Sequence, residues 1–234
     1  MKFFYKTLFF CTVVSRGVSG YAHTQMEHQY TCPIGGETFK QTMASSGTSY
    51  GAMLDFKPYG PIAAPWPLAV CPSNGFVMYK HDFTEQELAL LQPLIEEASY
   101  RSASPHYRAY RMMKAINAPI KQQFNMLLSS TWRGTNEYRQ EALGVVQLLL
   151  LDSAISMKER INFSLLKIEF ERRLGLFDQS MQTLTEFEVM KTDPEVIPVL
   201  IIACQRDLIS KKNASPSPIP NERIKCGDFA PLSM

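Results

Sequence analysis

The chain has 234 residues, 45% of them hydrophobic, with 24 Lys and Arg against 22 Asp and Glu and a formal net charge of +2. That composition is ordinary for a globular chain long enough to bury one or two cores. The near-neutral balance supplies no broad basic field, so a nucleic-acid partner is not expected.

At the N-terminus, Lys2 and Lys6 stand among aromatics ahead of an apolar run from Leu8 to Val14, and small and polar residues follow as far as Gly20-Tyr21-Ala22. This order reads as a secretory signal peptide over 1–22, with cleavage after Ala22 or after Gly20. The run is too short to cross a bilayer core of ~30 Å, so no stable membrane anchor is expected. Cys11 lies inside it, but Leu8-Phe9-Phe10 lacks the small residues that precede a lipid-modified cysteine.

Residues 23–83 read as a small β-rich part, because Gly, Pro, Ser, Thr and aromatics break the apolar residues into short bursts. Two turns in it, Cys32-Pro33-Ile34-Gly35-Gly36 and Cys71-Pro72-Ser73-Asn74-Gly75, look like zinc-ribbon elbows whose second cysteines are missing. A structural zinc ion needs four closely grouped ligands, and Gly35 and Asn74 stand where two of them belong. No metal and no other cofactor is therefore expected. Pro58, Pro61, Pro65 and Pro67 forbid helix and favour extended backbone around Trp66.

The pattern turns helical at Thr84-Glu85-Gln86-Glu87, a capping box followed by Leu88, Leu91, Leu94 and Ile95 on one face. Further helices are predicted at about Tyr107 to Ile116, Ile120 to Trp132, Glu137 to Asp152, Met157 to Arg173, Asp178 to Lys191 and Glu195 to Ser210. Short connections predict antiparallel neighbours. The run Val145 to Leu151 is apolar nearly all round, which predicts a central helix. Pro119 suits the first turn of its helix, and Gly134 suits a stop. Within 84–210, Leu174-Gly175-Leu176-Phe177 followed by Ser180, Leu184, Phe187 and Asp193-Pro194 resembles a tetratricopeptide unit, with glycine at the turn and a small residue where the helices approach. The tail over 211–234, with Pro216, Pro218 and Pro220, cannot be helical and is expected on the surface, tied back by Cys226.

Setting Cys11 aside leaves Cys32, Cys71, Cys204 and Cys226, an even set compatible with two disulfides in an oxidising compartment or with free buried thiols. Of the three possible pairings, proximity along the chain favours Cys32 with Cys71 and Cys204 with Cys226.

In layout, from Tyr30 to about Pro194, the chain resembles a bacterial protein family of unknown function that carries two Cys-Pro-x-Cys-Gly elbows ahead of tetratricopeptide-like helices. The matching residues are Cys32, Pro33, Gly36 and Phe39, then Cys71, Pro72, Gly75 and Phe76, with Asp82-Phe83 behind. The chain departs from the family at Gly35 and Asn74, so the zinc that the family pattern implies is not carried over. Exported, zinc-free relatives look like a periplasmic factor that aids assembly and placement of type VI secretion machines. The resemblance thus implies a mainly α fold with degenerate ribbon-like hairpins, and a non-enzymatic role through a protein partner of the cell envelope.

Catalytic alternatives exist in the sequence. Gly47-Thr48-Ser49-Tyr50-Gly51 satisfies G-x-S-x-G, and Asp55 with His81 or His106 follows in the chain order of a secreted serine hydrolase. Yet Pro58, Gly60 and Pro61 come too soon for the supporting helix, and no strand-helix alternation builds the sheet, so no catalytic residue is expected. His23 and His28, with Glu27 between them, read as a solvated end rather than a metal clasp. A general envelope protein of structural or chaperone type is the remaining alternative. Partner contacts are expected at Arg108, Arg111 and Lys114, cations at three-residue spacing on one helix, with Arg101 nearby, and at Trp66. Asn162-Phe163-Ser164 and Asn213-Ala214-Ser215 match the glycan sequon, which matters only in a eukaryotic host.

Overall fold

A computed structural model describes residues 24–189 and 199–227. The expected signal peptide, His23, and the Asp193-Pro194 end of the repeat-like unit lie outside these residues. The described residues hold eight helices, about half of the chain, preceded by small antiparallel hairpins.

Three two-stranded hairpins form the N-terminal part. Strand β1 (Gln25–Thr31) pairs with β2 (Thr38–Ala44) in a register that sets Tyr30 opposite Phe39, and the first elbow is their turn. Strands β3 (Gly51–Ala52) and β4 (Pro58–Tyr59) make the second hairpin, and β5 (Ala69–Val70) with β6 (Val77–Met78) makes the third around the second elbow. The elbows share one hydrogen-bond pattern. The Cys32 N–H donates to the Glu37 carbonyl at 2.9 Å and Gly36 N–H to Cys32; likewise Cys71 N–H donates to Phe76 at 2.9 Å and Gly75 N–H to Cys71. Gly36 (φ 69°) and Gly75 (φ 73°) close these turns in the left-handed region that a side chain would strain.

Helices α1 (Glu85–Glu96), α2 (Ala98–Arg101) and α3 (Pro105–Ala115) follow. The Thr84 capping box forms as expected, with the Glu87 carboxylate accepting from the Thr84 N–H at 2.8 Å. Next come α4 (Ile120–Thr131), α5 (Asn136–Leu151), α6 (Met157–Arg173), α7 (Phe177–Val189) and α8 (Val199–Ser210), and from α3 onward each helix packs on its neighbour in sequence. The one-turn α2 has no sequence signature. Glycine stands at 134 because a Cβ there would come within 2.6 Å of the Ser130 carbonyl oxygen. Helix α6 ends as its Leu-Gly-Leu predicts: with Gly175 at φ 78°, the Leu176 N–H reaches Glu171 O at 2.8 Å and the Gly175 N–H reaches Arg172 O at 3.0 Å. The buried Ser180 lets α7 approach α6 and donates to the Ile168 carbonyl at 2.8 Å.

Helix α5 differs from expectation. It buries Val146 and Leu149, but Leu148 and Leu151 are 58% and 81% exposed. A central helix needs neighbours on every side, and α5 has them on the α4 and α6 sides.

The core crosses the boundary between strands and helices. Cys32, Cys71, Phe76 and Val77 pack with Leu91, Ile95, Tyr100 and Met112 of α1–α3. The middle hairpin goes elsewhere: Phe56, at its tip with φ 61°, packs against the clusters built on α4–α6 and on α6–α8, and Leu54 joins Cys204 and Leu208. The tail completes this second region. The Leu54 N–H donates to Ser217 O at 2.9 Å, the Ile219 N–H donates to Ala52 O at 2.8 Å, and Met53 bridges to Pro218. Ser217 is accordingly buried, not on the surface. Disulfides join Cys32 to Cys71 (Cα–Cα 5.8 Å) and Cys204 to Cys226 (5.3 Å), so the pairing favoured by proximity is the one present. No helix among the described residues is long and apolar enough to cross a membrane.

Arg172 is fully buried. Glu169 grips its guanidinium through Nη2 at 2.6 Å and Nε at 3.0 Å, and Nη1 donates to the carbonyls of Asn213 and Ser215 in the tail. Burial pushes Glu169 up to about 6 against the opposing pull of Arg172.

Two outcomes are expected in denaturant unfolding. Arg172→Met should cost about 3–5 kcal/mol, because it strands a buried carboxylate, and Arg172→Met with Glu169→Leu should recover most of that loss. Gly175→Ala meets no atom within 4 Å, so its cost should be the conformational one alone, about 1–2 kcal/mol.

Candidate functional site: the groove between α3 and α5

Ser104 caps α3, with Pro105 in its first turn, and the spacing of Tyr107, Tyr110, Arg111 and Lys114 puts these side chains along one flank. They meet Glu141 of α5. The Tyr107 hydroxyl donates to Glu141 Oε2 at 2.5 Å and the Tyr110 hydroxyl to Oε1 at 2.7 Å, while Lys114 Nζ lies 3.6 Å from Oε1. Burial and the carboxylate together push both phenols well above the ordinary tyrosine value. They therefore stay protonated at neutral pH and act as donors. Arg111 reaches across to Glu97 at 2.6 Å and to Ser99 Oγ at 3.1 Å. Leu94 and Ala115 complete a groove of about 350 Å³. Its walls are aromatic, the Glu141 carboxylate is held by two phenols, and Lys114 is exposed.

The four expected partner contacts separate in space. Arg111 and Lys114 line this groove. Arg108 is used inside the fold: Nε donates to Ala103 O at 2.8 Å, Nη1 to Gly75 O at 3.4 Å and Nη2 to Arg101 O, and its guanidinium lies over the Tyr100 ring. It ties α3 to the second elbow. Trp66 is 44% exposed on the proline-rich segment, whose position is fixed by His106 Nε2 donating to the Trp66 carbonyl at 2.9 Å.

Between the elbows, Glu37 accepts from the Ser73 N–H at 2.9 Å and from Ser73 Oγ at 2.5 Å, which holds its carboxyl below the ordinary range. Asn74 Nδ2 donates to Ile34 O at 2.9 Å, and its Oδ1 accepts from Phe76 N–H. The Cys32 and Cys71 sulfurs and a Glu37 oxygen lie within 4.8 Å of one another, a grouping with metal-ligand chemistry. In the disulfide state the two sulfurs are bonded to each other, and the Asn74 amide spans the gap to Ile34.

Among the described residues, no hydrogen bond joins the hydrolase residues to one another. The Ser49 hydroxyl donates to Gly51 O at 2.8 Å, Asp55 accepts from the Lys57 N–H at 3.1 Å, and His106 is engaged with Trp66. His81 is exposed at the end of the hairpin region. His28 faces Gln41 across β1 and β2, its ring 6.2 Å from that of Tyr30.

Sequence reasoning missed a second group of cations: Lys57, Arg139 and Arg173 share the field of Asp55, and Arg133 acts on Lys57. Arg173 lies 3.9 Å from Asp55 Oδ2, and the indole N–H of Trp132, next to Arg133, donates to Asp55 O at 3.1 Å. These residues come from four separate segments and have no common spacing, so no sequence signal joins them.

His106 supplies a pH test. Burial lowers its pKa below the ordinary histidine value, so the neutral ring is favoured in the fold. Stability from this group is fully present above the unfolded value near 6.5 and is lost as pH falls through the folded one. Thermal unfolding at pH 7.5 and pH 5 should show a larger loss for the native chain than for His106→Gln, which keeps a donor for Trp66 O but does not titrate. Comparison with known protein families, with curated proteins and with solved structures returns no match for this chain.

Proposed function

We propose that this chain is a non-enzymatic interaction protein of the bacterial periplasm, serving assembly or placement of the type VI secretion machine by binding an envelope protein. The observation that carries the binding role is the groove of Leu94, Tyr107, Tyr110, Arg111, Lys114 and Glu141, a rigid aromatic and charged surface on a helix fixed at both ends. Aromatic walls with a charged rim suit a protein partner.

Compartment and lineage rest on other features. A Cys32–Cys71 disulfide between two elbows, with Asn74 and Glu37 bonded across the gap, supports a ribbon that has exchanged metal for a covalent link, as an oxidising compartment permits. Sequential helix packing, the Gly175 turn and the close approach at Ser180 support a tetratricopeptide-like reading of α6 and α7. The type VI assignment itself rests on the resemblance of the elbows and following helices to the exported, zinc-free relatives.

In a bacterium that carries this gene and a type VI system, deletion should lower the number or change the position of assembled machines while their core components persist. Complementation with Ser49→Ala should restore assembly, and Arg111→Glu with Lys114→Glu should not, with circular dichroism confirming that both variants fold. Normal assembly after deletion would refute the assignment, and failure of Ser49→Ala to complement would refute the non-enzymatic role.

A further inference from the structure

The middle hairpin meets the helices at a point where positive charge is in excess. Arg173 at the end of α6 lies 3.9 Å from Asp55 Oδ2, Arg139 in α5 reaches the carbonyl of Thr131, next to the Trp132 whose indole N–H donates to Asp55 O, and Lys57 on the hairpin and Arg133 beyond the end of α4 add charge to the same neighbourhood. The neighbouring pair Arg172–Glu169 is satisfied within itself and by the tail carbonyls. Arg173 also approaches Glu169, but only at 4.0 Å.

Asp55 cannot neutralise four cations. Its Oδ1 already accepts the Lys57 backbone N–H, and its Oδ2 stands 3.9 Å from Arg173, beyond hydrogen-bond length. Among the described residues, the side chains of Lys57, Arg133 and Arg173 make no hydrogen bond. Arg139 is held by Asn136 Oδ1 at 2.8 Å and, weakly, by Thr131 O at 3.4 Å, both uncharged. Lys57 and Arg139 are half-buried, and Arg173 is largely so. Burial and the mutual field of these cations lower the basicity of Lys57 and Arg139. Like charges on partly desolvated side chains, with the exposed Arg133 at their edge, raise the free energy of the empty site, and an anion with several oxygens relieves that cost.

We infer that Lys57, Arg133, Arg139 and Arg173 form a binding site for a phosphate group. Three guanidinium forks and one ammonium, less the charge of Asp55, match a dianion with three terminal oxygens better than a single carboxylate. The site is independent of the α3–α5 groove and of the function proposed for it. Its phosphate could belong to a soluble phosphate ester or to a lipid headgroup, and the two sources are separable.

The test is thermal unfolding of the full chain at pH 7.5 in inorganic phosphate, with ionic strength matched by chloride. Phosphate should raise the Tm above the chloride control in a saturable way. Lys57→Met and Arg133→Met remove like charges without touching the buried core, so each should leave the phosphate-free Tm unchanged or higher and weaken phosphate binding at least tenfold. Co-sedimentation with phosphatidylglycerol vesicles, but not phosphatidylcholine vesicles, that is lost in Arg133→Met would identify a headgroup as the source. Phosphate binding without sedimentation would identify a soluble ester. No phosphate effect beyond chloride, or equal effects in the native chain and both variants, would overturn the site.

Discussion

The buried Arg172 constrains how the last helices and the tail can meet. A guanidinium removed from water costs several kcal/mol even after relaxation, unless every donor is met by an acceptor. Glu169 meets one edge, one turn back on the same helix; the remaining donors are met by two carbonyls of the tail. A helix that would otherwise carry a costly charge into its core thus obliges the C-terminal segment to lie against it. That placement sets the tail beside the middle hairpin, whose backbone it pairs with at residues 52–54. The cations around Asp55 are brought together by the same arrangement.

The two disulfides serve different ends of this architecture. Cys32–Cys71 closes two turns that already match hydrogen bond for hydrogen bond, and Tyr100 and Arg108 carry that closure into α2 and α3 by binding the Gly75 carbonyl. Cys204–Cys226 secures the far end of the tail to α8, next to Leu54 of the hairpin. One fixes the elbows on the first three helices; the other helps hold the middle hairpin on the last ones.

What could be read in the sequence was local. Capping at Thr84, proline before α4 and glycine after α6 act within one turn of helix. Apart from α2, and from the Lys191 and Glu195 bounds, which lie outside the described residues, the helices fell within a few residues of their predicted bounds. The elbows were legible because Cys-Pro and Gly mark a turn wherever it is placed. The α3 cations were legible as a row, but their fates were not: whether Arg108 faces an elbow or a groove depends on a strand thirty-odd residues earlier. The run Val145 to Leu151 misled because apolar residues on all sides do not state whether a neighbour exists on each side. The charge cluster at Asp55 and the burial of Ser217 were invisible, since both arise from segments far apart in the chain.

The bridge between residues 52–54 and 217–219 has a consequence for the order in which the chain can fold. Its partners are separated by most of the sequence, so a chain emerging from its N-terminus holds the hairpin strands long before their third strand exists. Helices α3 to α7, with nearest-neighbour contacts, can assemble as they appear. Phe56 can pack once α4 to α6 are present, but Leu54 must wait until α8 and the tail arrive. Such late closure of a long-range contact is the slow step expected of a high-contact-order element. It leaves Leu54 uncovered while the elbows are already packed on the first three helices.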